Sequence, residues 1–133
     1  MSGDTYPITP DIICERSYDN KTGPDWFGCQ WTFEPGIGAT IVKPGDEMLD
    51  SIEGWQEKIV FPDLNALDWK ECAKGLEPYY DKNRMSDWWF QVGLFERLHS
   101  LMGMQNALEA LIIDEDEVAE FFDALTEHKI AVI

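Results

Sequence analysis

Between Trp88 and Leu111 the spacing of apolar residues changes period, and that change limits what the chain can fold into more than any other feature. Trp88, Phe90 and Val92 alternate as strand residues do, and the alternation stops at Gly93. Leu94, Leu98, Leu101, Leu108, Leu111 and Ile112 then recur largely at spacings of three, four and seven, the stripe of one amphipathic helix. The pattern reads as strand, glycine turn, helix. A β-to-α turn lies at the carboxyl end of its strand, where α/β folds place their ligand chemistry, so this is the first place to look for a site.

A length of 133 residues fits one domain and falls short of a complete α/β barrel, which takes roughly 200 residues at the least. With 10 basic and 26 acidic residues the net charge is −16, and the basic residues are scattered singly. Phosphate backbones and anionic membrane surfaces are therefore disfavoured partners, and neither nucleic acid nor membrane is expected. An apolar content of 44% with 13% aromatics gives the chain enough surface to bury to offset its ordering entropy. Cys14, Cys29 and Cys72 include no Cys-x-x-Cys and suggest neither a disulfide framework nor a zinc knuckle. No apolar run reaches the roughly 18 residues of a membrane span, and the first residues lack the features of a signal peptide, so the cytoplasm is the expected compartment.

In chain order, residues 1–24 are an irregular segment punctuated by Pro7, Pro10, Gly23 and Pro24, with room for a short strand or helical turn only over Asp11 to Arg16. Residues 25–87 read as a hairpin followed by short helices. Trp26 to Phe33 is strand-like, Glu34-Pro35-Gly36-Ile37-Gly38 supplies the turn, and Ala39 to Val42 returns. Helical turns are expected at Asp46 to Leu49 and at Ile52 to Ile59, with a stop at Pro62. Asp68 is a candidate N-cap for a helix from Trp69 to about Tyr80, and Asp81 to Asp87 is a polar linker. Residues 88–133 are the βα unit and a following helix. In that last helix Asp114 and Glu117 have capping-box spacing, and Val118, Phe121, Phe122 and Leu125 share a face. Ile130 to Ile133 ends apolar with no stop signal, as expected of a fold that continues.

Phe27-Gly28-Cys29-Gln30-Trp31, Phe61-Pro62-Asp63-Leu64, Asp68-Trp69 and, above all, Gly93-Leu94-Phe95-Glu96-Arg97-Leu98-His99-Ser100-Leu101-Met102-Gly103-Met104 with Asn106-Ala107-Leu108 resemble the uroporphyrinogen decarboxylase superfamily. The likeness extends from about Asp25 to the end and is greatest to the branch with the corrinoid-dependent methyltransferases. It implies a (β/α)8 TIM-type barrel, of which this chain holds the amino-terminal part behind its irregular, hairpin-containing first segment. It also implies an enzyme that transfers methyl groups to or from corrinoid or thiol carriers, or that decarboxylates tetrapyrroles. Zinc and corrinoid are implied for the complete relative. The His-x-Cys pair that holds zinc in the methyltransferase branch has no counterpart, because Leu101 and Ile130 stand two places after His99 and His128. The arginine-rich segment that grips substrate carboxylates in the decarboxylases is missing too. Neither cofactor is therefore expected on this chain alone, and whether it is itself an enzyme stays open.

Gln91, Gly93, Phe95, Glu96 and His99 are the substrate-binding candidates. In a barrel Gln91 belongs to one face of the strand near its end, within reach of a ligand, while Gly93 serves equally as a tight turn. Glu96, Arg97 and His99 offer a carboxylate, a guanidinium and an imidazole. Arg97 and His99 project about 200° apart on a helix, so the three do not converge, and Arg97 reads as the partner of an acid on a neighbouring element. His99 reads equally as a boundary residue, Cys29 as a buried thiol, and the acids at 114–117 as helix capping rather than calcium ligands. The rival expectation is a non-catalytic acidic binding or regulatory module, associating through exposed strand edges with a second copy or a complementary barrel subunit. A self-contained small fold with only an ancestral likeness to the barrel is a third.

Overall fold

A computed structural model describes residues 5–8, 22–88 and 92–133. Strand β1 (Thr5–Ile8) pairs in parallel with β5 (Met85–Trp88), Thr5 facing Met85 and Ile8 facing Trp88. A second sheet is antiparallel, in the order β2 (Gly23–Pro24), β3 (Gln30–Glu34), β4 (Ala39–Val42). Five α-helices follow: α1 (Trp55–Lys58), α2 (Trp69–Leu76), α3 (Leu94–Met102), α4 (Met104–Ile113) and α5 (Glu115–Val132). The fold is thus mixed α/β. None of the described helices is long and apolar enough to cross a membrane.

The hairpin forms where the turn residues stand. Glu34 carbonyl oxygen accepts the N–H groups of Ile37 and Gly38, Glu34 Oε1 accepts that of Gly36, and Gly38 takes φ +66°. The first strand is shorter than its apolar run, because residues 25–29 are drawn into a loop around Asp25 instead of joining the ladder. No helical turn forms at 46–49. There the N–H groups of Met48 and Leu49 both donate to the carbonyl oxygen of Leu101, at 2.8 and 3.0 Å, satisfying an acceptor near the end of α3. Asp68 caps α2 by accepting the N–H of Glu71 at 2.9 Å, and the helix ends in a 3-10 turn, Glu77–Tyr79.

The structure departs from the expected elements at four further places. The polar stretch read as a linker contributes β5 from Met85 onward, because backbone pairing with β1 overrides the weak strand propensity of Ser86 and Asp87. β1 itself lies in the segment read as irregular, with Pro7 in a two-stranded pair. The long helix divides at Gly103, whose φ of +80° and ψ of 158° belong to a region that only glycine enters readily. The apolar spacing runs on across this break, but the helix axis does not. At Asp114 the side chain makes no cap hydrogen bond, so the capping box is not formed, and the acids that follow act only as charges in the first turn of α5.

Among the described residues the core is gathered from three regions: the 25–31 loop with β3, the segment through α1, and helices α3 to α5. Phe27, Cys29 and Trp31 come from the loop and β3, and Leu49, Ile52, Trp55 and Ile59 from the segment leading through α1. Leu98, Leu101 and Met102 from α3 meet Ala107 and Ala110 from α4 and Val118, Phe121 and Leu125 from α5. Aromatic rings meet edge to face at its centre, Trp55 with Phe121 at 5.3 Å and Phe27 with Phe61 at 5.5 Å between centroids. Helix α2 buries none of its residues fully; Trp69, Cys72 and Leu76 are half-buried along one side.

Candidate functional site

Helix α3 has two faces with different chemistry. At about 100° per residue, Arg97 falls beside Leu98, Leu101 and Ser100 on the face that enters the core, while Phe95, Glu96 and His99 fall together on the other. The burial agrees: Arg97, Leu98, Ser100, Leu101 and Met102 are buried, Phe95 and His99 are half-buried, and Glu96 is exposed.

Beneath the helix Arg97 meets Asp25, and both side chains are fully buried. The Asp25 carboxylate accepts four hydrogen bonds. The N–H groups of Phe27 and Cys29 donate to Oδ1 at 2.9 and 3.0 Å, and Trp31 Nε1 and Arg97 Nη1 donate to Oδ2 at 3.0 and 2.5 Å. One carboxylate therefore closes the 25–31 loop on itself and fastens it to a helix 72 positions away. The guanidinium also lies 4.3 Å from the centroid of the Phe27 ring, and Nη1 donates to Cys29 Sγ at 3.6 Å. A buried ion pair is tolerable when its remaining lone pairs and protons are occupied, and Asp25 meets that condition.

Cys29 is held as a neutral thiol. Burial pushes its pKa from an ordinary 9.0 up to about 12, and the charge of Asp25 adds to the rise against a smaller opposing effect of Arg97. The thiolate is the nucleophilic form, so at neutral pH Cys29 does not fit the part of an attacking group. Among the described residues no group of three or more His, Cys, Asp or Glu side chains is placed to hold a metal ion.

The outward side of α3 carries the groups a ligand can reach. Gly93 precedes the helix in extended conformation, and its N–H donates to Glu96 Oε2 at 2.8 Å, which engages the carboxylate in capping the first turn. His99 sits one turn on, its ring 5.5 Å from that of Phe95. Gly93, Phe95, Glu96 and His99 thus share the amino-terminal turns of α3, past the carboxyl end of β5. Gln91 lies outside the described residues, as do Trp89 and Phe90. This surface can offer a carboxylate, an imidazole and an aromatic ring to a polar ligand; Arg97 faces away from it.

Sequence patterns did not reveal Asp25, the residue with the most buried hydrogen bonds in this part of the molecule. Its signal is local: an Asp two and four positions before the N–H groups it binds, at the head of an aromatic run.

No family model, curated protein or solved structure matches the chain.

Proposed function

We propose that the chain forms the amino-terminal part of a uroporphyrinogen decarboxylase-like barrel, whose complete form moves a methyl group between corrinoid and thiol carriers or decarboxylates a tetrapyrrole acid. The observation that carries this reading is the parallel pairing of β1 with β5 together with the passage from β5 through Gly93 into α3. A parallel pair and a strand-to-helix unit are the elements from which such a barrel is built. The residues that resemble the family most strongly occupy that unit. Within this reading Gln91, Gly93, Phe95, Glu96 and His99 belong to the substrate-facing end, and Asp25 and Arg97 hold the helix that presents them. Zinc and corrinoid belong to the complete barrel, and no step is assigned to either on these residues.

Titration of isotope-labelled protein with methylcobalamin and, separately, with uroporphyrin tests the reading by amide chemical shifts. Shifts confined to Gln91, Gly93, Phe95, Glu96 and His99 with one of the two compounds are expected. Shifts elsewhere, or none with either compound at millimolar concentration, count against it.

A further inference from the structure

Helix α4 is apolar on two sides. Ala107 and Ala110 face the core. Met104, Leu108, Leu111 and Ile112 stand at spacings of four, seven and eight from the first, within an arc of about 100° on the helix. They are nevertheless 52%, 50%, 38% and 83% exposed. Isolated apolar residues on a surface are ordinary, but a contiguous stripe two turns long at helical spacing is the form taken by helix-docking faces.

The charge around the stripe restricts what can cover it. From Leu98 through His128 the chain has no lysine or arginine and eight aspartates and glutamates. Glu109 lies on α4 itself, and residues 114–117 are four consecutive acids just beyond its carboxyl end. At the other end the side chain of Glu47 packs against Gly103, its Cγ 3.4 Å from where a Cβ would stand. The stripe is thus bounded by carboxylates at both ends. A second copy would bring the same acids, and a total charge of −16, against it. An anionic lipid surface would be repelled in the same way.

We propose that the outward face of α4 is a docking site for a basic amphipathic helix of another polypeptide, one with a leucine- or isoleucine-rich stripe flanked by lysine or arginine. Its apolar side chains cover Met104, Leu108, Leu111 and Ile112, and its cations meet the carboxylates at the two ends. The proposal is independent of the barrel reading, because it uses neither the β1–β5 pair nor the Gly93 turn.

The test uses the whole chain and a synthetic 14-residue leucine-lysine peptide with helical amphipathic spacing, beside a scrambled peptide of the same composition. Binding is followed by fluorescence anisotropy at about 0.15 M salt, where the Debye length is about 8 Å and diffuse attraction is screened. The ordered peptide is expected to bind at least about tenfold more tightly than the scrambled one, a difference of about 1.4 kcal/mol. Leu108→Ser with Ile112→Ser is expected to remove that advantage and leave the circular-dichroism melt unchanged. Met104→Gln with Leu111→Gln is the second variant, read in the same way should the first fail to fold. Equal binding of the two peptides, or an advantage that survives in a folded variant, overturns the proposal. So does a dimer, seen by light scattering, that the same substitutions abolish, or binding to phosphatidylglycerol vesicles without selective peptide binding.

Discussion

Replacing Asp25 by asparagine tests the central buried contact with almost no change of shape. The side-chain oxygen of asparagine can replace one carboxylate oxygen, but its amide nitrogen then faces two donors whichever way it turns. In one orientation it opposes Trp31 Nε1 and Arg97 Nη1, in the other the N–H groups of Phe27 and Cys29. Arg97, fully buried, also loses the negative charge that Asp25 sets against it. Breaking one side of a buried pair costs about 3–5 kcal/mol, a large part of the roughly 5–15 kcal/mol that holds a domain together. With a urea dependence of about 1.5 kcal/mol per molar, the unfolding midpoint of Asp25→Asn should fall by about 2 M or more. Arg97→Met removes the cation and should also destabilise. The double variant should be better than the sum of the singles by about 2 kcal/mol, because neither is left with an uncompensated partner. Should Asp25→Asn lose its cooperative transition altogether, recovery of that transition in the double variant carries the test. A single variant within about 1 kcal/mol of the parent, or strict additivity, would refute the account of this contact.

Three other outcomes are expected. Cys29 keeps its proton to about pH 12 when folded and to about 9.0 when unfolded, so its stabilising effect is full below pH 9.0 and is lost as pH rises toward 12. Denaturant titrations at pH 8 and 10.5 should therefore show the parent losing about 2 kcal/mol more than Cys29→Ala, and equal losses would count against the buried neutral thiol. Gly103→Ala places a Cβ at φ +80° and should cost about 1–3 kcal/mol in the same assay, with an unchanged midpoint as the contrary result. Glu96→Ala removes the acceptor of the Gly93 N–H and should cost about 1 kcal/mol; hydrogen exchange at Gly93 that stays as slow as in the parent would mean that the cap is idle.

What the sequence displays are features carried by neighbours in the chain. The Gly93 start of α3, the Asp68 cap and the Glu34-Pro35-Gly36 turn are each written within a few residues, and each appears in the structure. Gly103 misleads because the leucine spacing continues in phase across it, so periodicity alone cannot separate one helix from two at an angle. Leu108, Leu111 and Ile112, read as one stripe with Leu98 and Leu101, are exposed while those two are buried. β5 begins in a stretch whose Ser86 and Asp87 have little strand propensity, since its pairing with β1 is supplied by backbone groups some 80 positions distant. The contact of Asp25 with Arg97 is illegible for the same reason: no period relates two single residues so far apart.

That contact also orders events in time. A ribosome adding roughly 5–20 residues per second needs about 4–14 s to go from Asp25 to Arg97, and in that interval the carboxylate of the 25–31 loop is without its Arg97 contact. Closing a loop of this length costs entropy before any contact inside it is repaid. The hairpin and the loop that carries Phe27 and Cys29 are consequently dependent on α3 for their final packing. Until that helix emerges, their aromatic side chains are open to whatever lies nearby, and the early chain is the stage at which a chaperone has most to hold.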